Sequence, residues 1–170
     1  MADFPKRLNP NAVFVTSIAL LTVGACAGWH SAKSATPVVQ VGETFTCTPV
    51  AVWDGDGPIW CSEGPRIRLS GVAARELDGT CSAGHPCPDA TGIAARDELV
   101  GLLGGPKGTL PTGHVKIGGQ RLTCTSKGSG KGSRTAAFCK RKDGVDLSCA
   151  MVSSGKAARW QRYWGNHACQ

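Results

Sequence analysis

The alternation of apolar and polar residues predicts a domain that begins with short β-strands. Residues 44–53 are rich in β-branched and aromatic side chains and predict the first strand. Residues 54–57, Asp-Gly-Asp-Gly, have the composition of a hairpin turn, and residues 58–61 begin the returning strand. In residues 66–72 charged and apolar side chains alternate, which indicates a strand buried on one face.

The second half of the chain predicts helices mixed with further strands. Residues 89–103 predict the first helix, because an apolar stripe follows the start signal Pro88-Asp89 and Gly104-Gly105 ends it. Strands first, then a helix, a hairpin and more helices predict a small closed β-barrel with helices outside, since closure removes unpaired strand edges. The remaining predicted elements are strands at 114–117, 121–125 and 135–139, a flexible basic loop at 127–133, and helices at about 146–154 and 156–164.

The N-terminal stretch predicts export. Lys6 and Arg7 precede an uncharged run over residues 8–28 with an apolar centre, the pattern of a secretory signal. The expected location is periplasmic or secreted; membrane anchoring through this segment, or lipid attachment at Cys26, is the alternative. The predicted divisions are a signal peptide or N-terminal membrane anchor at 1–27, a linker at 28–43, one domain at 44–165 and a C-terminal tail at 166–170.

Cysteine usage agrees with export. The chain has nine cysteines, and apart from Cys26 they form an even set, which in an exported chain predicts a disulfide framework. A zinc site around His85 is the weaker alternative, because no second pair of ligands accompanies it. The predicted pairs flank the first turn, a short loop and the basic loop, and join a helix to the tail: Cys47–Cys61, Cys81–Cys87, Cys124–Cys139 and Cys149–Cys169.

Positive charge is concentrated late in the chain. The net charge is +7, and residues 121–142 hold seven basic side chains and no acidic one. A basic face favours polyanions such as nucleic acid or an anionic membrane or cell wall, and a solvated hairpin is the alternative. The predicted nucleic-acid-binding residues are Arg121, Lys127, Lys131, Lys140, Arg141 and Lys142.

A series of short motifs between residues 45 and 164 resembles the staphylococcal nuclease-like (thermonuclease) family. The motifs are Asp-Gly-Asp-Gly at 54–57, Arg-Ile-Arg-Leu at 66–69, Ala-Ala-Arg-Glu at 73–76, Ala94-Ala95 with Leu102-Leu103, Ser-Arg-Thr-Ala at 133–136 and Asp-Gly-Val-Asp-Leu at 143–147. Their matching order is more specific than any one of them. The resemblance implies a mainly β, α+β fold: a five-stranded OB-fold barrel with two or three packed helices, stapled here by disulfides.

The resemblance also implies roles for individual residues. Arg68 and Arg134 match the family's two phosphate-binding arginines, and Glu76 matches the glutamate proposed to activate water. These roles suit the chemistry, because forked guanidinium donors can meet the charge of a phosphodiester and a carboxylate can accept a proton. Asp56 matches a calcium-binding aspartate, but Ala73 stands where the second such aspartate is expected. Gly57, Ala74 and Arg75 also depart from the family pattern.

The sequence therefore predicts an exported, monomeric, nuclease-like hydrolase of DNA or RNA phosphodiester bonds. Its divalent cation, calcium by resemblance, is expected to bind weakly or not at all, because Ala73 offers no ligand and Asp54, Asp78 or Asp89 would have to replace it. The alternative is a non-catalytic OB-fold module that binds nucleic acid or another polyanion in the cell envelope. A third interpretation is a disulfide-stapled envelope scaffold.

Aromatic and histidine side chains lend themselves to two interpretations. Base stacking is one role for tryptophans, but tryptophans in a small barrel are more often core residues. We predict core positions for Trp53, Trp60, Trp160 and Trp164, and surface positions for His30, His114 and His167.

Overall fold

A computed structural model describes residues 37–169, which form an α+β domain made mostly of strands. The predicted signal or anchor segment, Cys26, His30 and most of the predicted linker lie outside the described residues. Within the described part, no helix has both the length and the apolar character needed to cross a membrane.

Eight of the ten strands form one curled sheet in the order β1-β8-β9-β4-β3-β2-β7-β6, and β5 pairs with β10. The sheet curves into a half-barrel; a five-stranded OB-fold stays a prediction. The strands are β1 (Thr44–Cys47), β2 (Pro49–Val52), β3 (Ile59–Cys61), β4 (Arg66–Leu69), β5 (Val72–Ala73), β6 (Pro106–Thr109), β7 (Val115–Ile117), β8 (Leu122–Ser129), β9 (Arg134–Lys140) and β10 (Ala158–Arg159). The helices are α1 (Gly92–Leu102), α2 (Leu147–Ser153) and α3 (Gln161–Trp164).

One face of the curled sheet is apolar and is covered by α1 and α2. Ile67 of β4 and Leu122 of β8 are fully buried, as are Leu99 of α1 and Met151 of α2. Burial of this apolar surface is the main source of stability. Side chains on the other face of β4 and β9 remain accessible, and the candidate site lies there.

All four predicted disulfides are confirmed. Cys47–Cys61 spans the first turn, Cys124–Cys139 joins β8 to β9, and Cys81–Cys87 closes a short loop. Cys149–Cys169 fastens the C-terminal tail to α2. Each bridge limits the conformations of the unfolded chain, which suits a small domain.

The first predicted strand is in fact two strands. The break falls at Thr48, whose backbone N–H and hydroxyl both donate to the Glu63 carboxylate, at 2.8 and 2.7 Å. These bonds turn the chain away from a continuous ladder, so that β1 pairs with β8 while β2 pairs with β3 and β7. Both segments are rich in β-branched residues, so composition alone predicts one continuous strand.

Two predictions for the later part of the chain were wrong. The loop predicted at 127–133 is strand as far as Ser129, because a bulge at Gly128 (φ +89°) keeps this glycine-rich segment in the β8–β9 ladder. The segment predicted as a helix at 156–164 instead forms strand β10 followed by the short α3, because β10 pairs antiparallel with β5. Strand β6 was not predicted, and α1 begins at Gly92, capped by Thr91, three residues later than expected.

The predicted placements of tryptophan and histidine hold only in part. Trp164 is buried as expected, but Trp53 is 37% exposed, and Trp60 and Trp160 are half-buried. His167 is not a free surface residue. Its ring stacks on Phe138, and its Nε2 lies 3.0 Å from Oδ2 of Asp146, the buried N-cap residue of α2.

Candidate functional site

A cleft of about 1260 Å³ opens on the accessible face of the sheet. Its walls come from distant parts of the chain: the turn after β2, strand β4, the loop before α1, the β8–β9 hairpin, α3 and the C-terminal tail. The charged and polar side chains that line it include Asp54, Arg68, Glu76, Ser82, His85, Lys127, Lys131 and Arg134. The three predicted catalytic residues, Arg68, Glu76 and Arg134, therefore share one cleft.

The Asp-Gly-Asp-Gly turn contributes Asp54 to the cleft and depends on its glycines. Gly57 has φ +117°, and a Cβ there would lie 2.5 Å from the carbonyl oxygen of Ile67, so glycine is required. Asp54 Oδ1 accepts the backbone N–H of Asp56 at 3.2 Å, which fixes the turn. Both carboxylates are thereby held in a tight, largely buried bend.

Asp56 is already engaged by protein groups. Its Oδ2 accepts hydrogen bonds from Arg68 Nη2 at 2.7 Å and from the backbone N–H of Ala74 at 3.3 Å. The two side chains are only 8% and 17% exposed, so this is a largely buried ion pair. Asp56 does not line the cleft, whereas Arg68 does. The pair therefore holds the Arg68 guanidinium at the cleft wall.

Asp54 has an unusual protonation equilibrium. Burial, and secondarily the negative charge of Asp56, raise the pKa of Asp54 from 3.8 to about 7. With a pKa of about 7, a substantial fraction of Asp54 is neutral near pH 7. Because Asp54 lines the cleft, this neutral carboxyl group can donate a proton there. Burial also raises the pKa of Asp56.

Glu76 lies in a turn that is held from several sides. Ser82 Oγ donates to Glu76 Oε1 at 2.8 Å, and the Glu76 backbone N–H bonds to the carbonyl of Thr80 at 2.9 Å. The adjacent Arg75 donates to the carbonyls of Gly79 and Pro88 at 2.8 and 2.9 Å, so this departure from the family pattern ties down the loop. The Cys81–Cys87 bridge closes the same loop. The Glu76 carboxylate is thus positioned at the cleft wall.

Arg134 enters the cleft because β9 runs parallel to β4. In that ladder Arg134 stands opposite Arg66 and Ala136 opposite Arg68, so both strands present basic residues on the same face. Arg134 Nε donates to the Lys131 carbonyl at 3.1 Å, which orients the side chain. With Lys127 and Lys131 it makes the hairpin tip a positively charged wall.

The basic segment does not form one face. Thr123 pairs with Lys140 at one end of the hairpin and Ser129 pairs with Thr135 at the other, a separation of about 20 Å at roughly 3.3 Å per residue. Lys127 and Lys131 therefore belong to the cleft, but the other predicted nucleic-acid-binding residues do not. Those at the far end are Arg121, Lys140, Arg141 and Lys142, and Arg141 is paired with Asp143.

The donor groups fit a calcium ion poorly. Ala73 is fully buried in β5 opposite Ala158, so its position supplies no oxygen to the cleft. Asp78 bonds to Thr80 at the surface and Asp89 is exposed, and neither lines the cleft. Among residues 37–169 the only three metal-ligating side chains with all ligand atoms within 4.8 Å are Asp146, Cys149 and His167. That cluster is no thiolate site, because Cys149 is disulfide-bonded.

Several cleft residues had no counterpart in the sequence-based prediction of the site. The sequence predicts Asp54 only as a substitute metal ligand and His85 only as part of a zinc site, yet both line the cleft. The His85 ring lies against the Trp160 ring, with their centroids 4.1 Å apart and their planes tilted by 43°, and burial lowers the pKa of His85. Ser82 and the tail at 165–168 could not be found from spacing, because the loop before α1 and the C-terminus reach the cleft only through tertiary packing.

Comparison of the chain with protein family models, curated proteins and solved structures gave no match. The resemblance to thermonucleases therefore rests on the motifs alone. Function has to be argued from the cleft itself.

Proposed function

We propose that this protein is an exported nuclease-like phosphodiesterase acting on DNA or RNA, with the OB-type barrel that the motifs imply. The observation that carries the proposal is the meeting of Arg68, Glu76 and Arg134 in one cleft, to which Arg134 comes from a distant part of the sequence. Two guanidinium groups, one carboxylate and two lysines suit a phosphodiester better than a neutral substrate.

The proposed reaction uses groups that the cleft already holds. Arg68 and Arg134 donate hydrogen bonds to the phosphate oxygens and stabilise the charge that builds up in the transition state. Glu76 accepts a proton from the attacking water as its oxygen bonds to phosphorus. The bond from phosphorus to the leaving oxygen breaks, and Asp54 in its neutral form supplies the proton that this oxygen takes up.

The proposed dependence on calcium is weak or absent. The resemblance implies a calcium ion. However, Asp56 Oδ2 already pairs with Arg68 Nη2 at 2.7 Å, and the Ala73 side chain is a buried methyl group that offers no ligand. Calcium usually takes six to eight oxygen ligands, which this donor set does not provide. The Arg68 guanidinium instead brings positive charge to the Asp56 carboxylate.

A non-catalytic module that binds nucleic acid or another envelope polyanion is the second candidate. The same poor fit to calcium favours it, because the positive hairpin tip would bind phosphates without cleaving them. The four disulfides favour an oxidising compartment for either candidate, which is consistent with periplasmic or secreted protein.

One comparison separates the candidates. The purified, disulfide-intact protein is incubated with labelled single-stranded DNA, duplex DNA and RNA in calcium, magnesium, manganese or chelator. Cleavage that persists in chelator and is lost in Arg134→Ala supports the enzyme; Arg134 is suited to this test because its Nε bonds only to a turn carbonyl. Arg121→Ala, at the far end of the hairpin, is the matched control.

Binding without cleavage identifies the module instead. The affinity should then fall with salt with a log–log slope of about −3, as expected for roughly four phosphate contacts to a single strand. Absence of both binding and cleavage would leave a scaffold and contradict the proposal.

A further inference from the structure

The sheet carries a second feature beside the cleft, a row formed by Trp53, His114, Trp60 and Arg66. Ring centroids lie 4.9 Å apart for Trp53 and His114 and 4.2 Å apart for His114 and Trp60. The Arg66 guanidinium lies 4.6 Å from the Trp60 ring centroid. The four side chains are therefore in contact one after another, although they come from β3, from β4 and from the residues next to β2 and β7.

The row faces the same side of the sheet as the cleft. Trp60 stands opposite Arg66 in the β3–β4 ladder, and Arg66 stands opposite Arg134 in the β4–β9 ladder. The neighbours of Trp60 in β3, Ile59 and Cys61, are buried on the opposite face. The row thus continues from the Arg134 wall of the cleft across the neighbouring strands, over about 15 Å at roughly 4.8 Å per strand.

The chemistry of the row favours an anionic, aromatic ligand. Trp53 is 37% exposed, and Arg66 is exposed and makes no ion pair within residues 37–169. Burial lowers the pKa of His114, and the positive charge of Arg66 lowers it further. A cation beside a run of aromatic rings is an arrangement that can hold a phosphate and a stacked base of a single strand.

We propose that this row binds the continuation of a single-stranded nucleic acid whose scissile phosphate lies in the cleft. Arg66 pairs with a phosphate and Trp53 stacks with a base. The Trp60 indole N–H is covered and has no hydrogen-bond partner among the described residues, so Trp60 offers ring surface alone. Stacking of this kind tolerates every base, and duplex DNA, whose bases are stacked internally, does not use the row.

The inference rests on the proposed function, and its test uses oligonucleotide length. Fluorescein-labelled oligothymidylates of three and twelve nucleotides, and a twelve-base-pair duplex, are titrated in chelator with the disulfide-intact protein. We expect Trp53→Ala and Arg66→Ala each to weaken twelve-mer binding about tenfold, while three-mer and duplex affinities change less than about twofold. Arg66→Ala should also reduce the salt slope by about 0.7.

Matched variants and a melting curve control the experiment. Ile93→Ala removes a comparably exposed apolar side chain from α1, and Arg121→Ala removes an exposed arginine far from the row. Both should bind the twelve-mer like the wild type, and all variants should melt within a few degrees of it.

Four results would overturn the inference. Equal wild-type affinity for the two lengths, or equal losses at both lengths, would mean that the strand does not extend over the row, while leaving the proposed function standing. A change in oligomeric state of Trp53→Ala without oligonucleotide would assign the row to a second copy of the chain. No binding of any oligonucleotide would reject the proposed function and the inference together.

Discussion

Arg68 illustrates how one side chain can serve both stability and chemistry. Its contact with the nearly buried Asp56 holds the guanidinium at the cleft, and its loss would leave a carboxylate without its charged partner. We expect Arg68→Met to reduce the free energy of unfolding by about 3 kcal/mol, because breaking a buried pair is costly. Urea denaturation measures the change.

The matching double variant shows whether the cause is the unpaired charge. Asp56→Asn combined with Arg68→Met removes both charges and keeps an oxygen that can accept the Ala74 N–H. It should recover more than half of the loss. If the double variant were less stable than Arg68→Met, the ion-pair explanation would be wrong.

The raised pKa of Asp54 predicts that the stability of the protein depends on pH. This pKa is raised in the folded protein from 3.8 to about 7, so the folded state binds more protons, and stability falls as pH rises through this window. Asp54→Asn keeps the acceptor for the Asp56 N–H and removes the titration. We expect it to be more stable than the wild type by about 4 kcal/mol at pH 8, at about 1.4 kcal/mol for each pH unit between the two pKa values, and to differ little at pH 4.

Thermal or urea unfolding across pH 4 to 8 tests this expectation. A wild-type advantage that grows with pH would show that Asp54 is ionised in the folded state. Cleavage by Asp54→Asn should fall in the same preparation if the carboxyl donates a proton.

At the scale of elements, the junction between α1 and the Glu76 turn is the tightest part of the site. A Cβ at Gly92 would lie 2.2 Å from the Glu76 carbonyl oxygen, whereas at Gly101 in the same helix it would meet nothing within 4 Å. Gly92→Ala should therefore destabilise the protein by about 2 kcal/mol and displace Glu76. Gly101→Ala should stabilise it by about 0.5 kcal/mol, through helix propensity.

Circular dichroism melts and cleavage rates measured on the two variants check this contrast. Equal stability of the two variants would show that the helix start yields to the extra methyl group. Loss of cleavage in Gly92→Ala alone would link the packing of α1 to the position of Glu76.

Elements were predictable where local pattern and tertiary structure agree. The turn at 54–57, strand β4 and helix α1 follow from composition and periodicity, and the disulfides follow from cysteines that flank turns. The break at Thr48 and the strand β10 were missed because a distant carboxylate and a distant strand impose them. In the cleft, the motifs point to Arg68 and Glu76, which both line it, but Ser82 and His85 lie on a loop that no periodicity describes.

At the scale of the molecule, the C-terminal tail completes the cleft and is fastened there by a disulfide. Gly165, Asn166, His167 and Ala168 line the cleft, next to Cys169, whose bridge to Cys149 spans 20 residues. Cys149→Ser/Cys169→Ser should lose about 3 kcal/mol of stability, the loop-entropy value for a span of this size. The oligonucleotide affinity of this variant should also fall, because the C-terminal tail that forms one wall of the cleft is no longer tethered to α2.

The Cys81–Cys87 bridge provides a control for loop length, because it closes a separation of six residues compared with 20 for Cys149–Cys169. Its double serine variant should lose less stability than the tail variant. A larger loss from the shorter loop would mean that native packing, rather than tethering of the unfolded chain, dominates. Guanidinium denaturation at equilibrium measures both.

The central claim, that this cleft hydrolyses phosphodiester bonds with Glu76 as the base, is tested most directly by the single-turnover cleavage rate of Glu76→Gln. We predict that the rate on bound single-stranded DNA in chelator falls at least about 100-fold while the Kd changes less than about twofold. Glu43→Gln, an exposed glutamate outside the cleft, should match the wild type. Cleavage by Glu76→Gln at the wild-type rate, or its absence in every preparation, would contradict the account.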